Sequence, residues 1–208
     1  MENDTIPSDS QHVRAYMQLR RSVGWIGVFL PLLLMTGNAA VFGGDLVLPS
    51  LSRYYFTGMR DVFVGGLCAM GMFLFYYSGH DAWEDWAGNV AGGFALLVAF
   101  FPTVESGPLG AAGIVHYASA IALFLVLGAC SFFLFSRQRP HSPDRTLALV
   151  HRICGAMMFL VVVGIAVFFI VFREDHPDSY FAFVVETVAL WSFGVSWLIE
   201  GRALEKDK

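Results

Sequence analysis

From Ala111 to Phe135 the chain reads AAGIVHYASAIALFLVLGACSFFLF, with no Asp, Glu, Lys or Arg in the run. A helix rises about 1.5 Å per residue and a bilayer core is about 30 Å thick, so about 20 apolar residues suffice to cross it. Inside hydrocarbon every backbone amide must be bonded within the protein, which leaves helices or a closed barrel. The run shows no alternation of period two, and barrel strands would need it. A membrane-spanning helix is expected here.

Five more stretches meet the length within a few residues: 25–42, 60–77, 86–101, 149–172 and 180–199. The expectation is therefore an all-α, polytopic membrane bundle of six transmembrane helices. Composition agrees, since 56% of the residues are hydrophobic and only 14% charged, with a mean hydropathy of +0.60. A soluble core of this size needs far less apolar material. The 13 Lys and Arg are scattered, so no basic stripe for nucleic acid exists. Cys68, Cys130 and Cys154 lie in apolar runs without CxxC spacing and read as buried packing thiols.

Residues 1–12 are polar and expected to be disordered, residues 13–23 to form a short interfacial helix, residues 24–200 the bundle, and residues 201–208 a tail. Ten basic residues fall before the first span, around the fourth connection and after the last span, against Arg53, Arg60 and Arg173 on the other side. By the positive-inside rule both termini are cytoplasmic. A rival reading takes Arg20-Arg21, the apolar stretch after it and Asn38-Ala39-Ala40 as a signal peptide, leaving five spans. The third span contains Gly88-Asn-Val-Ala-Gly92, a spacing that lets two helices approach closely.

That orientation gathers the costliest polar residues into one leaflet. Arg60 and Asp61 stand at the outer end of span two, His116 lies about 7 Å into span four and Glu186 about 9 Å into span six. Asn38 reaches the same level on span one. Ionisable groups at such depth pair with one another or mark a site. Arg60 is expected to pair with Glu186, and Asp61, on a diverging direction, to face His116 or the first external loop. That loop, residues 43–56, is apolar enough to lie as a lid over the site, with its tyrosines at headgroup depth. It supplies Ser50 and Ser52 as polar contacts or nucleophiles.

Other polar residues invite plainer roles. His151 and Arg152 read as interfacial anchors, His80, Asp81, Glu84 and Asp85 as a solvated turn, and Trp83, Trp86, Trp191 and Trp197 as an aromatic belt. Asn89 reads as an interhelical hydrogen-bonding residue. No metal or cofactor is expected. His116 and His151 stand at opposite faces, which does not suit a bis-histidine haem, and a transporter is disfavoured because the two halves of three spans show no internal similarity and the centre of the bundle lacks charge. Membrane hydrolases related to alkaline ceramidases and adiponectin receptors combine Ser, Asp and three metal-binding His in seven spans. This chain departs from them in having six spans and no HxxxH.

The words LSRYYFTGMRDVFVGG, GNVAGGFALLVAFFPT, HYASA and FGVSWLIEG resemble those of a family of uncharacterised six-helix bacterial inner-membrane proteins of this length. The resemblance runs from residue 50 onward and includes Arg60, Asp61, Asn89, His116 and Glu186. It implies a multi-pass bundle in a bacterial inner membrane and implies no activity. The expectation for function is a small membrane protein whose outer-leaflet cluster of Arg60, Asp61, His116, Glu186 and Asn38 binds a lipid headgroup, a small ligand or a partner. The competing expectation is a lipid-directed hydrolase or transferase with Asp61, His116 and Glu186 as catalytic candidates.

Overall fold

The computed structural model describes residues 8–77, 81–105, 107–137, 145–172 and 179–206, which are mostly helical with no strand among them. Six helices follow in order: α1 (Ser8–Phe42), α2 (Arg60–Phe75), α3 (Ala82–Phe100), α4 (Ala111–Ala129), α5 (Arg145–Val167) and α6 (Phe181–Lys206). A 3-10 helix, Leu51–Phe56, fills the first connection. The ends of α4 and α5 widen into π-helix at Cys130–Phe135 and Phe168–Phe172.

Four stretches are long and apolar enough to cross a membrane: Arg21–Phe42, Ala111–Phe135, Arg145–Phe172 and Phe181–Gly201. Helix α2, with 16 residues, and α3, with Glu84 and Asp85 in its first turn, are not among them. The outside of the bundle carries many exposed large apolar side chains. Leu160 and Val163 of α5 and Ile170 of the π-helix that follows it are 63%, 59% and 83% exposed, a surface that suits lipid and not water. These features mark the chain as a membrane protein.

Helix α1 runs from Ser8 into the apolar stretch without a break, so the short helix expected at residues 13–23 is continuous with the first span and residues 8–12 are helical too. Residues 8–23 contain no Gly or Pro before Gly24 and several strong helix formers, so nothing interrupts the helix. Residues 1–7 lie outside the described residues.

Three glycine seams join the helices in antiparallel pairs. A Cβ on Gly92 would sit 2.8 Å from the Gly71 carbonyl oxygen, and one on Gly71 would sit 3.0 Å from the Gly92 oxygen, joining α2 to α3. Gly88 likewise rests against the Leu74 oxygen. Gly155 and Gly128 join α5 to α4, and Gly194 and Gly24 join α6 to α1. Packing at these distances is open only to residues without a Cβ. Chain neighbours also pack on each other, and α1 against α6 closes the ring. Gly24 of α1 meets Leu198 of α6, so the start of α1's apolar stretch and the end of α6's share one level of the bundle.

Candidate functional site

Between the seams the axis of the bundle is lined by large side chains that leave a cavity of about 340 Å³. Leu30, Leu67, Leu123, Leu127 and Leu190 belong to its wall, and Ser52, Tyr117 and Glu186 are its side chains with hydrogen-bonding groups. On α4 the wall runs from Tyr117 to Leu127, about 15 Å at helical rise. Small-molecule sites occupy roughly 300–1,000 Å³ and combine apolar walls with a few placed polar groups. This void has that character.

The first connection folds over the cavity's polar end. A 3-10 helix repeats every three residues, so Leu51 and Tyr54 fall on one side, and both are buried. The Tyr54 hydroxyl donates to the Leu46 carbonyl at 2.7 Å, and the Phe183 N–H donates to the Pro49 carbonyl at 3.0 Å, which fastens the connection to the start of α6. Arg53 reaches across and donates to the carbonyls of Val104 and Glu105. Of the segment 43–56, expected as an apolar lid with its tyrosines at headgroup depth, Leu51 and Tyr54 are buried and Tyr54 is a core residue.

Two consecutive residues of the lid receive the two deep polar residues of the sequence. The first N–H groups of a helix lack intrahelical acceptors, and the Leu51 N–H donates to Oε2 of Glu186 at 2.7 Å. The next side chain, Ser52, meets His116: Oγ and Nε2 are 2.8 Å apart. The other ring nitrogen, Nδ1, lies 2.7 Å from the Phe101 carbonyl. That carbonyl is free because Phe101 ends α3 in extended conformation and Pro102 cannot continue the helix. A carbonyl only accepts, so Nδ1 carries the proton and Nε2 of the neutral ring accepts from the Ser52 hydroxyl. His116 is 1% exposed.

The remaining expected members stand apart. Arg60 does not pair with Glu186: its guanidinium lies over the Tyr55 ring, 4.4 Å from the centroid, and donates to the Tyr55 hydroxyl at 2.6 Å. Arg60 is exposed, and Glu186 already has a backbone donor, so neither needs the other. Asp61 is exposed in the first turn of α2, facing neither His116 nor Glu186; there its charge suits the helix dipole. Asn38 is buried but turned to its own loop, donating to the Asp45 carbonyl at 2.8 Å. The layer therefore contracts to Ser52, His116 and Glu186.

The opposite end of the bundle holds a second polar group that sequence reasoning placed at the interface. His151 is buried, with Nδ1 2.8 Å from the Ser196 hydroxyl and Nε2 3.6 Å from Oε2 of Glu200. Ser196 also bonds Ser131, which the π-helical turn of α4 presents. Glu84, expected in a solvated turn, is 5% exposed and accepts from the Tyr77 hydroxyl at 2.9 Å. Trp197, expected in the aromatic belt, is buried against Tyr77, Phe135 and Phe193. Trp83, Trp86 and Trp191 are exposed. Asn89 faces outward on α3 and not into a helix contact. Asp81 caps α3, accepting from the N–H groups of Trp83 and Glu84, and pairs with Arg137 at 2.8 Å. His80 lies outside the described residues. The signal for this group was present in Glu84, two residues before the third apolar run, and in Glu200, directly after the sixth, but edge carboxylates read equally well as interfacial.

The cysteines are free, Cys130 and Cys154 buried and Cys68 partly so. Among the described residues no three His, Cys, Asp or Glu side chains are grouped to hold a metal. Comparison with family models, curated proteins and solved structures gives no significant match.

Proposed function

We propose that the protein crosses a bacterial inner membrane six times with both ends of the chain in the cytoplasm, and that its cavity takes the apolar chain of a membrane amphiphile whose polar end meets Ser52 and Glu186. The observation that carries this reading is the void itself: about 340 Å³ of space walled by aliphatic and aromatic side chains, with its polar groups gathered at one end. An amphiphile has the same division. A polar solute would leave its hydrogen-bonding groups unmatched along the leucine wall, at a cost of a few kcal/mol for each.

Six crossings are supported by the antiparallel seams, which place α2 and α3 in the same ring as the four longest apolar helices. A carboxy-terminal reporter that is active only outside the cytoplasm should stay silent, and a strong signal would overturn this orientation. The ligand reading is tested by native mass spectrometry of protein purified in mild detergent, wild type beside Leu123→Trp, which fills the cavity from α4. Wild type should carry a lipid-sized mass that the variant lacks. Equal retention by both would exclude the cavity as the binding place.

A further inference from the structure

Ser52 and His116 are arranged for more than holding the lid. We infer that they form a nucleophile and general-base pair that transfers the acyl group of a long-chain ester, an activity that rests on the cavity receiving that ester's chain. Three observations converge on this assignment. Ser52 lines the cavity, so its hydroxyl stands where the polar end of an amphiphile with a buried chain would lie. Its Oγ is 2.8 Å from Nε2 of a histidine shut away from solvent. The Phe101 carbonyl on Nδ1 fixes the tautomer that leaves Nε2 as the acceptor. A nucleophile, a base within hydrogen-bond reach and a third group orienting the base are the elements of nucleophilic acyl transfer.

The step balances without any further reactant than the ester and water. Ser52 Oγ attacks the ester carbonyl while its proton passes to Nε2. The tetrahedral adduct collapses, the bond to the alcohol oxygen breaks, and the departing alcohol takes the proton from Nε2. Water then attacks the acyl–Ser52 ester, giving its proton to Nε2, and collapse returns that proton to Ser52 Oγ as the fatty acid leaves. The orienting group is a backbone carbonyl and not a carboxylate, so it sets the ring's direction without adding a full charge beside the imidazolium.

The test uses the full-length protein in mild detergent and an alkyl fluorophosphonate, which bonds covalently to an activated serine. A dodecyl probe should add one mass to the wild type, mapped to Ser52, and react faster than the ethyl probe because its chain occupies the cavity. Ser52→Ala should abolish the adduct, and His116→Gln should slow it by about 100-fold or more, the usual share of a general base. Ser22→Ala, whose hydroxyl donates to the Gln18 carbonyl of its own helix, should label as wild type. Absence of labelling in wild type that retains its lipid overturns the acyl-transfer assignment and leaves the binding reading intact, whereas loss of lipid retention and labelling together would sink both. Labelling of wild type that is indifferent to probe chain length also overturns it, and that readout requires no variant to fold.

Discussion

Gly92 and Gly93 are neighbours on α3 with opposite surroundings, and replacing each by alanine separates a packing cost from a helix-propensity gain. A Cβ on Gly92 would lie 2.8 Å from the Gly71 carbonyl oxygen and 3.2 Å from Cδ2 of Phe75, while one on Gly93 meets nothing within 4 Å. Both changes gain about 1 kcal/mol of helix propensity, so the difference between the two variants isolates the contact. To move the carbon from 2.8 Å to the 3.4 Å where ordinary contact begins, α2 and α3 must part along their seam. The obstacle is backbone, which cannot rotate away as a side chain would. Overpacking costs about 1–3 kcal/mol, and a rigid obstacle places the expected difference near 2 kcal/mol within that range. Unfolding by a denaturing detergent, followed by tryptophan fluorescence, measures it: Gly92→Ala should be the less stable variant by that amount. Equal stabilities within about 0.5 kcal/mol, the scatter of uninvolved surface changes, would refute the seam.

Glu186→Gln keeps an oxygen for the Leu51 N–H and should fold with stability near wild type, whereas Glu186→Leu leaves that N–H without its acceptor and should cost about 1–3 kcal/mol in the same unfolding assay. Ser196→Ala removes the hydroxyl that both Ser131 and His151 use, so a loss of about 1–3 kcal/mol is expected, with lipid retention unchanged because this group lies at the other end of the bundle. Asp81 sits below its ordinary 3.8, first through the Glu84 backbone N–H and also through Arg137. A carboxyl lowered by folding contributes stability that is complete above about pH 3.8 and lost as pH falls through its lower folded value. Asp81→Asn, which still accepts at the cap, should therefore flatten part of the acid limb of a stability-against-pH curve, and an unchanged limb would count against the cap and ion pair.

Depth and spacing along a helix are one-dimensional facts, and they were the part of the site open to reading from the chain. His116 and Glu186, set at similar depth by loop charge and helical rise, are brought to adjacent residues of the same lid, Ser52 and Leu51. Rotation about a helix axis is what depth leaves out. Arg60 is close to Glu186 in level but turns to Tyr55, and Asp61 and Asn38 turn away in their own directions. A lid also brings donors that no span pattern announces: a backbone N–H answered the Glu186 carboxylate where a charged partner was expected. At the other end, Glu200 and Glu84 stand at the edges of apolar runs, where hydropathy alone does not tell a lipid-facing position from one turned to the bundle axis.

The cavity follows from the same division of the helices. The spacing Gly88-xxx-Gly92 announced one close approach, and the structure repeats the device at Gly128 with Gly155 and at Gly24 with Gly194. Each seam draws two backbones together along one line, α2 to α3, α4 to α5 and α6 to α1. What lines the void between those lines is mostly aliphatic and aromatic side chains, leucine foremost, and they leave about 340 Å³ unfilled. In a soluble protein such a void would lose dispersion contacts without return. In a bundle bathed by lipid, a chain from the surrounding membrane is the nearest material of matching chemistry, and under the proposed reading Ser52 and Glu186 at the lid end would give that chain a direction. Filling the void from α4 should therefore raise stability in detergent while removing the bound lipid, an opposition that a merely imperfect core would not produce.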